Sequence, residues 1–87
     1  MNIIIIEHAR ERMRERGVAE EEVLSVLEAG EPQEAEGRRS KEATFEFLGE
    51  WQGRRYPQKK VRVIYIEEAG STVVITVYAF YGRWETK

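Results

Sequence analysis

Four β-branched residues in succession, Ile3-Ile4-Ile5-Ile6, open the apolar pattern. So short a run of this kind predicts a buried strand over residues 1–6 rather than a helix. Glu7 to Arg16 holds strong helix formers and no breaker, and Gly17 supplies the stop. A second helix is expected from about Ala19 to Ala29. Glu20, Glu21 and Glu22 suit the positive end of its dipole. Val23, Leu24 and Leu27 form its apolar stripe with Val26 at the margin, and Gly30 and Pro32 prevent continuation.

Near Gly37 the period changes to two. Lys41 to Leu48 alternates, with Ala43, Phe45 and Phe47 on one face, and Trp51-Gln52-Gly53 marks a turn. Arg54 to Lys60 reads as a basic connection interrupted by Pro57. Val61 to Ile66 is apolar on both faces, with Arg62 sharing a face with Ile64 and Ile66. Glu68 to Ser71 is a hairpin turn around Gly70. Thr72 to Phe80 is the longest strand, with Val73, Ile75 and Val77 on one face and Val74, Thr76 and Tyr78 on the other. The tail, residues 81–87, carries Trp84 and is free to fold back. This order predicts an α+β fold: two helices on one face of a four-stranded, mainly antiparallel sheet whose last three strands form a meander. Val23, Leu24, Leu27, Phe45, Val63 and Ile75 are the expected core.

With 87 residues, the chain is read as one domain spanning 1–87. No apolar run approaches the roughly 20 residues of a membrane span. No basic region precedes the isoleucines, so a secretory leader is not expected and the location is read as cytoplasmic. Cysteine and aspartate are absent and His8 is the single histidine, which leaves neither a disulfide nor an adequate metal-ligand set. No metal or other cofactor is expected. The net charge of −2 is unlike a general nucleic-acid binder, but it is uneven. Residues 1–37 hold ten Glu and four Arg, a balance of −6, whereas residues 38–87 hold ten Lys and Arg and six Glu, a balance of +4. A local basic surface is compatible with that distribution.

Residues four apart stack on one helix face, so His8, Arg12 and Arg16 form a stripe beside Ala9 and Met13. An imidazole can move a proton near neutral pH, and a guanidinium can grip a phosphate with two hydrogen bonds. The pattern suits phosphodiester chemistry. By spacing alone it also suits a packed or capping histidine and structural arginines, and Arg10 and Arg14 read as solvated helix surface. Arg54, Arg55, Lys59 and Lys60 surround Tyr56 and are candidate phosphate contacts, with Arg62 on the next strand; a solvated basic loop is the equal alternative. Phe80, Tyr81, Trp51 and Trp84 could stack on bases, or cover sheet edges or a homodimer contact.

The run His8-Ala9-x-x-Arg12-x-x-x-Arg16-Gly17-Val18, the second helix, Gly30-x-Pro32 and the closing Val73-Val74-Ile75-Thr76-Val77-Tyr78 resemble the small prokaryotic domain-of-unknown-function family 4258, over about residues 3–80. Members usually carry Ser or Thr where Ala19 stands. Through that family the resemblance extends to the RelE-like toxins of the barnase–EndoU–colicin–RelE group of metal-independent ribonucleases. The resemblance implies helix-on-sheet architecture and an RNA-cleaving site of His8, Arg12, Arg16, Thr76 and Tyr78. It also implies RNA and a small antitoxin-like protein as partners. The expected activity is an endoribonuclease acting by 2′-OH attack on the adjacent phosphate; the alternative is a non-catalytic RNA- or protein-binding module of the same fold.

Overall fold

A computed structural model describes residues 2–35 and 38–84. The elements run β1 (Asn2–Ile5), α1 (Glu7–Arg16), α2 (Glu20–Ala29), β2 (Glu31–Ala35), β3 (Arg38–Trp51), β4 (Arg54–Glu68) and β5 (Ser71–Gly82). The class is α+β, but the sheet is mixed and has five strands, in the order β1-β5-β4-β3-β2. The expected four-stranded sheet lacked β2. Glu31-Pro32-Gln33-Glu34-Ala35 has no apolar alternation, and it is a strand only because it pairs antiparallel with Arg38–Glu42 of β3. Pro32 is tolerated because β2 is an edge.

β3, β4 and β5 form the antiparallel meander, while β1 lies parallel to the first part of β5, from Asn2 opposite Ser71 to Ile5 opposite Val74. Both tight turns have positive φ at their two central residues, Gln52-Gly53 and Ala69-Gly70. That is the sign a two-residue hairpin needs to match strand twist. Pro57 does not break a connection: β4 is continuous from Arg54 to Glu68. β3 is irregular opposite Pro57, between Glu46 and Gly49 with Leu48 at φ 47°, and β5 ends before it, so no regular ladder demands its missing N–H.

α1 and α2 pack on the same sheet face. Ala9 and Met13 from α1 and Val23, Val26 and Leu27 from α2 meet Val61, Val63 and Tyr65 of β4 and Val74 and Val77 of β5. Val23, Leu27 and Val63 are core as expected, and Phe45 is half-buried against it. Two expectations are corrected. Leu24 is 40% exposed, and Val26 takes the interior place assigned to it. Ile75 is only half-buried. The register passes from Ile64↔Thr76 to Tyr65↔Val74, leaving Ile75 as the extra residue of a β-bulge. The bulge breaks the period of two, so Val74 and Val77, three apart, both face inward.

A buried polar knot joins the helices to the sheet. Lys59 is 4% exposed; its ammonium donates to the Gly17 carbonyl and, at 2.7 Å, to Glu22. The same Glu22 oxygen accepts the Ala19 N–H at the start of α2. Tyr81 donates its hydroxyl to the Arg16 carbonyl at 2.7 Å, and its ring stacks on Trp51 with centroids 4.9 Å apart. Burial, and secondarily the nearby Glu22 carboxylate, push the Tyr81 phenol up to about 12. Lys41 donates to the Leu27 carbonyl at 2.7 Å, a cation at the end of a helix whose last turn has none. Residues 85–87 of the tail lie outside the described residues.

Candidate nucleic-acid interface

Alternation on β4 sends Val61, Val63 and Tyr65 toward the helices, which turns Lys60, Arg62, Ile64 and Ile66 to the opposite face. On β5, Val77 faces inward and Tyr78 and Phe80 face out, 39% and 40% exposed. Cross-strand neighbours on this helix-free face are Glu42, Arg62 and Tyr78 in one row, and Thr44, Lys60 and Phe80 in the next.

Three cations lie over three aromatic rings there. The Arg62 guanidinium lies 5.5 Å from the Phe80 centroid, one step along the sheet from its Tyr78 neighbour. Lys60 leans similarly, past Phe80, to sit 4.5 Å from the Trp84 centroid. Trp84 is folded back onto β4, where its backbone N–H donates to the Gln58 side-chain oxygen. The third cation, Arg16, comes from α1. β1 pairs with β5 only as far as Val74, so the next stretch of β5 has an open edge. Across that edge Arg16 donates to the Val77 carbonyl at 2.8 Å, and its guanidinium lies 4.9 Å from the Tyr78 centroid.

The rest of the expected stripe is spread along the same edge. Ile6 donates its N–H to the Val74 carbonyl, so α1 begins beside Val74. His8 is exposed in the first turn, about 12 Å along the axis from Arg16. Arg12 lies between them and is paired with Glu15 at 2.8 Å. Thr76 is 8% exposed at the bulge. Among the described residues neither His8 nor Arg12 hydrogen-bonds to Thr76 or Tyr78. Arg16 and Tyr78 are thus in contact, with Thr76 two residues from Tyr78.

The expected phosphate contacts also separate. Arg62 and Lys60 are on the helix-free face. Arg54 and Arg55 are exposed at the start of β4, at the tip of the β3–β4 hairpin. Lys59 is buried, its ammonium occupied by Glu22 and Gly17, because its strand position faces the helices and not solvent. Among the described residues no three His, Cys, Asp or Glu side chains gather as metal ligands, and no helix is long and apolar enough to cross a membrane.

The sequence offered Phe80 and Trp84 only as two of four aromatics able to stack on bases or to cover edges, without pairing them to Arg62 and Lys60, and it gave no sign of Glu42. The alternation Tyr78-x-Phe80 was the available signal for the first. Glu42 is visible only through its register with Arg62.

The family model described as Domain of unknown function (DUF4258) matches residues 5–79. The chain belongs to this family. No curated protein and no solved structure matches it. In this member of DUF4258, the matched span runs from the end of β1 to within β5 and includes His8, Arg12, Arg16, Arg62, Thr76 and Tyr78. Phe80 and Trp84 lie beyond it.

Proposed function

We propose that this protein binds single-stranded RNA on the helix-free face of its sheet. The observation that carries this reading is the set of three cation–aromatic couples, Arg16 with Tyr78, Arg62 with Phe80 and Lys60 with Trp84. Unstacked bases can lie on such rings while the cations meet phosphates, and each base stacked on an aromatic side chain contributes about 1–3 kcal/mol. Tyr78 and Phe80 are two residues apart on one strand, about 7 Å, a separation that suits successive bases of an extended strand. With three cations in contact with phosphates, log K should fall with log salt at a slope of about −2. A net charge of −2 keeps the long-range attraction weak, so binding depends on this face.

The experiment is fluorescence anisotropy with a labelled RNA oligonucleotide and its duplex. Single strands should bind more tightly than the duplex, whose bases are already stacked. Tyr78→Ala and Phe80→Ala should each weaken binding about 5- to 150-fold. Equal affinity for duplex and single strand, or binding indifferent to both substitutions, refutes the reading.

The open edge of β5 favours a second reading, the endoribonuclease implied by the RelE-like resemblance. In it, His8 removes the 2′-hydroxyl proton, Arg12 and Arg16 stabilise charge on the phosphorane, Thr76 positions a phosphate and Tyr78 orients or protonates the leaving oxygen. RNA must then bring His8 within reach of the site where Arg16 meets Tyr78. This reading predicts cleavage in the presence of a chelator, abolished by His8→Ala and by 2′-deoxy substitution of the substrate. Intact RNA after prolonged incubation with the wild-type protein rejects it and leaves the binding module. A small antitoxin-like protein would enter as a competitor of RNA for the same face.

A further inference from the structure

We infer that Glu42 sets the specificity of this face, making it select an RNA strand with accessible bases over a polyanion without them. The inference rests on the RNA-binding reading above. Glu42 stands beside Arg62 in the strand register. Its Oε1 accepts from Arg62 Nε at 2.8 Å and forms an ion pair with Arg62 Nη2 at 2.7 Å. Its Oε2 is 3.8 Å from the Lys60 ammonium. The Glu42 side chain is itself only 15% exposed, so water screens these contacts less than it screens a surface pair. Two of the three cations that lie over aromatic rings on this face therefore share one carboxylate. Arg16 is anchored elsewhere, on the Val77 carbonyl.

The arrangement has two consequences. The carboxylate offsets part of the positive charge, so phosphate attraction alone is weak. It also engages the Nε side of the guanidinium and holds it over Phe80, leaving the Nη1–Nη2 edge for a phosphate. A base lying on Phe80 benefits from that fixed cation, whereas a chain of bare phosphates gains only from charge. Glu42 is thus a positioning residue for Arg62 and, in the same act, a brake on indiscriminate polyanion binding.

The test compares affinities of the full chain for a uridine oligonucleotide and for inorganic polyphosphate, with circular dichroism confirming the fold of each variant. Glu42→Gln removes the charge and loosens Arg62. Polyphosphate affinity should rise about three- to tenfold and its salt slope should steepen, while RNA affinity stays level or falls. Glu42→Asp keeps the charge but withdraws it by one methylene. It should weaken RNA binding and leave polyphosphate unchanged, which also serves as the test if the Gln variant does not fold. An RNA-to-polyphosphate ratio unaltered in either folded variant overturns the role of Glu42 while leaving RNA binding in place. Wild-type protein that binds polyphosphate as tightly as RNA, or binds neither, overturns the RNA reading and this inference together.

Discussion

Replacing Gly17 with alanine should destabilise the protein severely, although the position lies at a helix end. Gly17 closes α1 with φ +71°, donating its N–H to the Met13 carbonyl in a left-handed cap. An L-residue there costs roughly 1–2 kcal/mol from the clash of Cβ with backbone. Space adds a second cost. A Cβ at Gly17 would overlap Trp51 Cζ3 and stand 2.8 Å from Trp51 Cη2 and 2.9 Å from the Tyr81 hydroxyl oxygen. Trp51 cannot withdraw freely, because it stacks on Tyr81, whose ring also meets Phe47 and Tyr56. Tyr81 is tied to the Arg16 carbonyl, and the Gly17 carbonyl holds Lys59. Overpacking of this kind costs about 1–3 kcal/mol. The sum, about 2–5 kcal/mol, corresponds to a fall in Tm of roughly 10–30 °C for a domain of this size. Urea denaturation followed by tryptophan fluorescence and far-ultraviolet circular dichroism measures it. The same substitution in a Trp51→Ala background separates the two costs: there Gly17→Ala should lose the Trp51 overlap and retain chiefly the backbone share, about 1–2 kcal/mol, with the milder contact to the Tyr81 hydroxyl. An equal loss in both backgrounds, or a loss under about 0.5 kcal/mol in the wild-type background, would refute the packing of Trp51 against the α1 cap.

Leu27→Ala should cost about 2–5 kcal/mol and Leu24→Ala about 1 kcal/mol or less, since one residue is buried and the other largely exposed; denaturation curves of the pair that coincide would reject the assigned face of α2. Ala19→Ser should raise stability by about 1 kcal/mol, because Glu22 already supplies one half of a capping box while Ala19 offers no side-chain acceptor; an unchanged urea midpoint would show that the N-terminus of α2 gains nothing from a cap. Tyr81 is held as the neutral phenol by burial first and Glu22 second, so the folded state keeps its proton more tightly than the unfolded chain. Its contribution is complete below about pH 10 and is lost as pH rises toward 12, and Tyr81→Phe should remove that share of the alkaline decline. Identical declines for both proteins between those pH values would count against the assigned environment.

Local chemistry alone determined much of this protein. Gly17 ends α1 because the cap needs positive φ, and Gln52-Gly53 and Ala69-Gly70 make tight turns for the same kind of reason. The two helices and the meander follow from hydrophobic period, which local sequence carries in full. The tertiary structure decided whatever depends on a partner strand. Polar β2 exists only through its pairing with Arg38–Glu42, and Pro57 stays in a strand because it lies where β5 has ended and β3 is irregular. A single extra residue at Ile75 redirects the inward face of β5, so alternation counted from Thr72 misassigned that residue to the core. The candidate site shows the same division. The spacing of His8, Arg12 and Arg16 was legible, but only the end of β1 at Ile5 leaves the edge across which Arg16 reaches Tyr78. The matching of Arg62 to Phe80, Lys60 to Trp84 and both cations to Glu42 depends on register between neighbouring strands of the meander, Glu42 and Arg62 being 20 positions apart. The tight turns and burial of the sheet's other face fix that register together, but the shifts between Glu46 and Gly49 and at Ile75 alter it where alternation gives no sign, and only the packed core holds them in place.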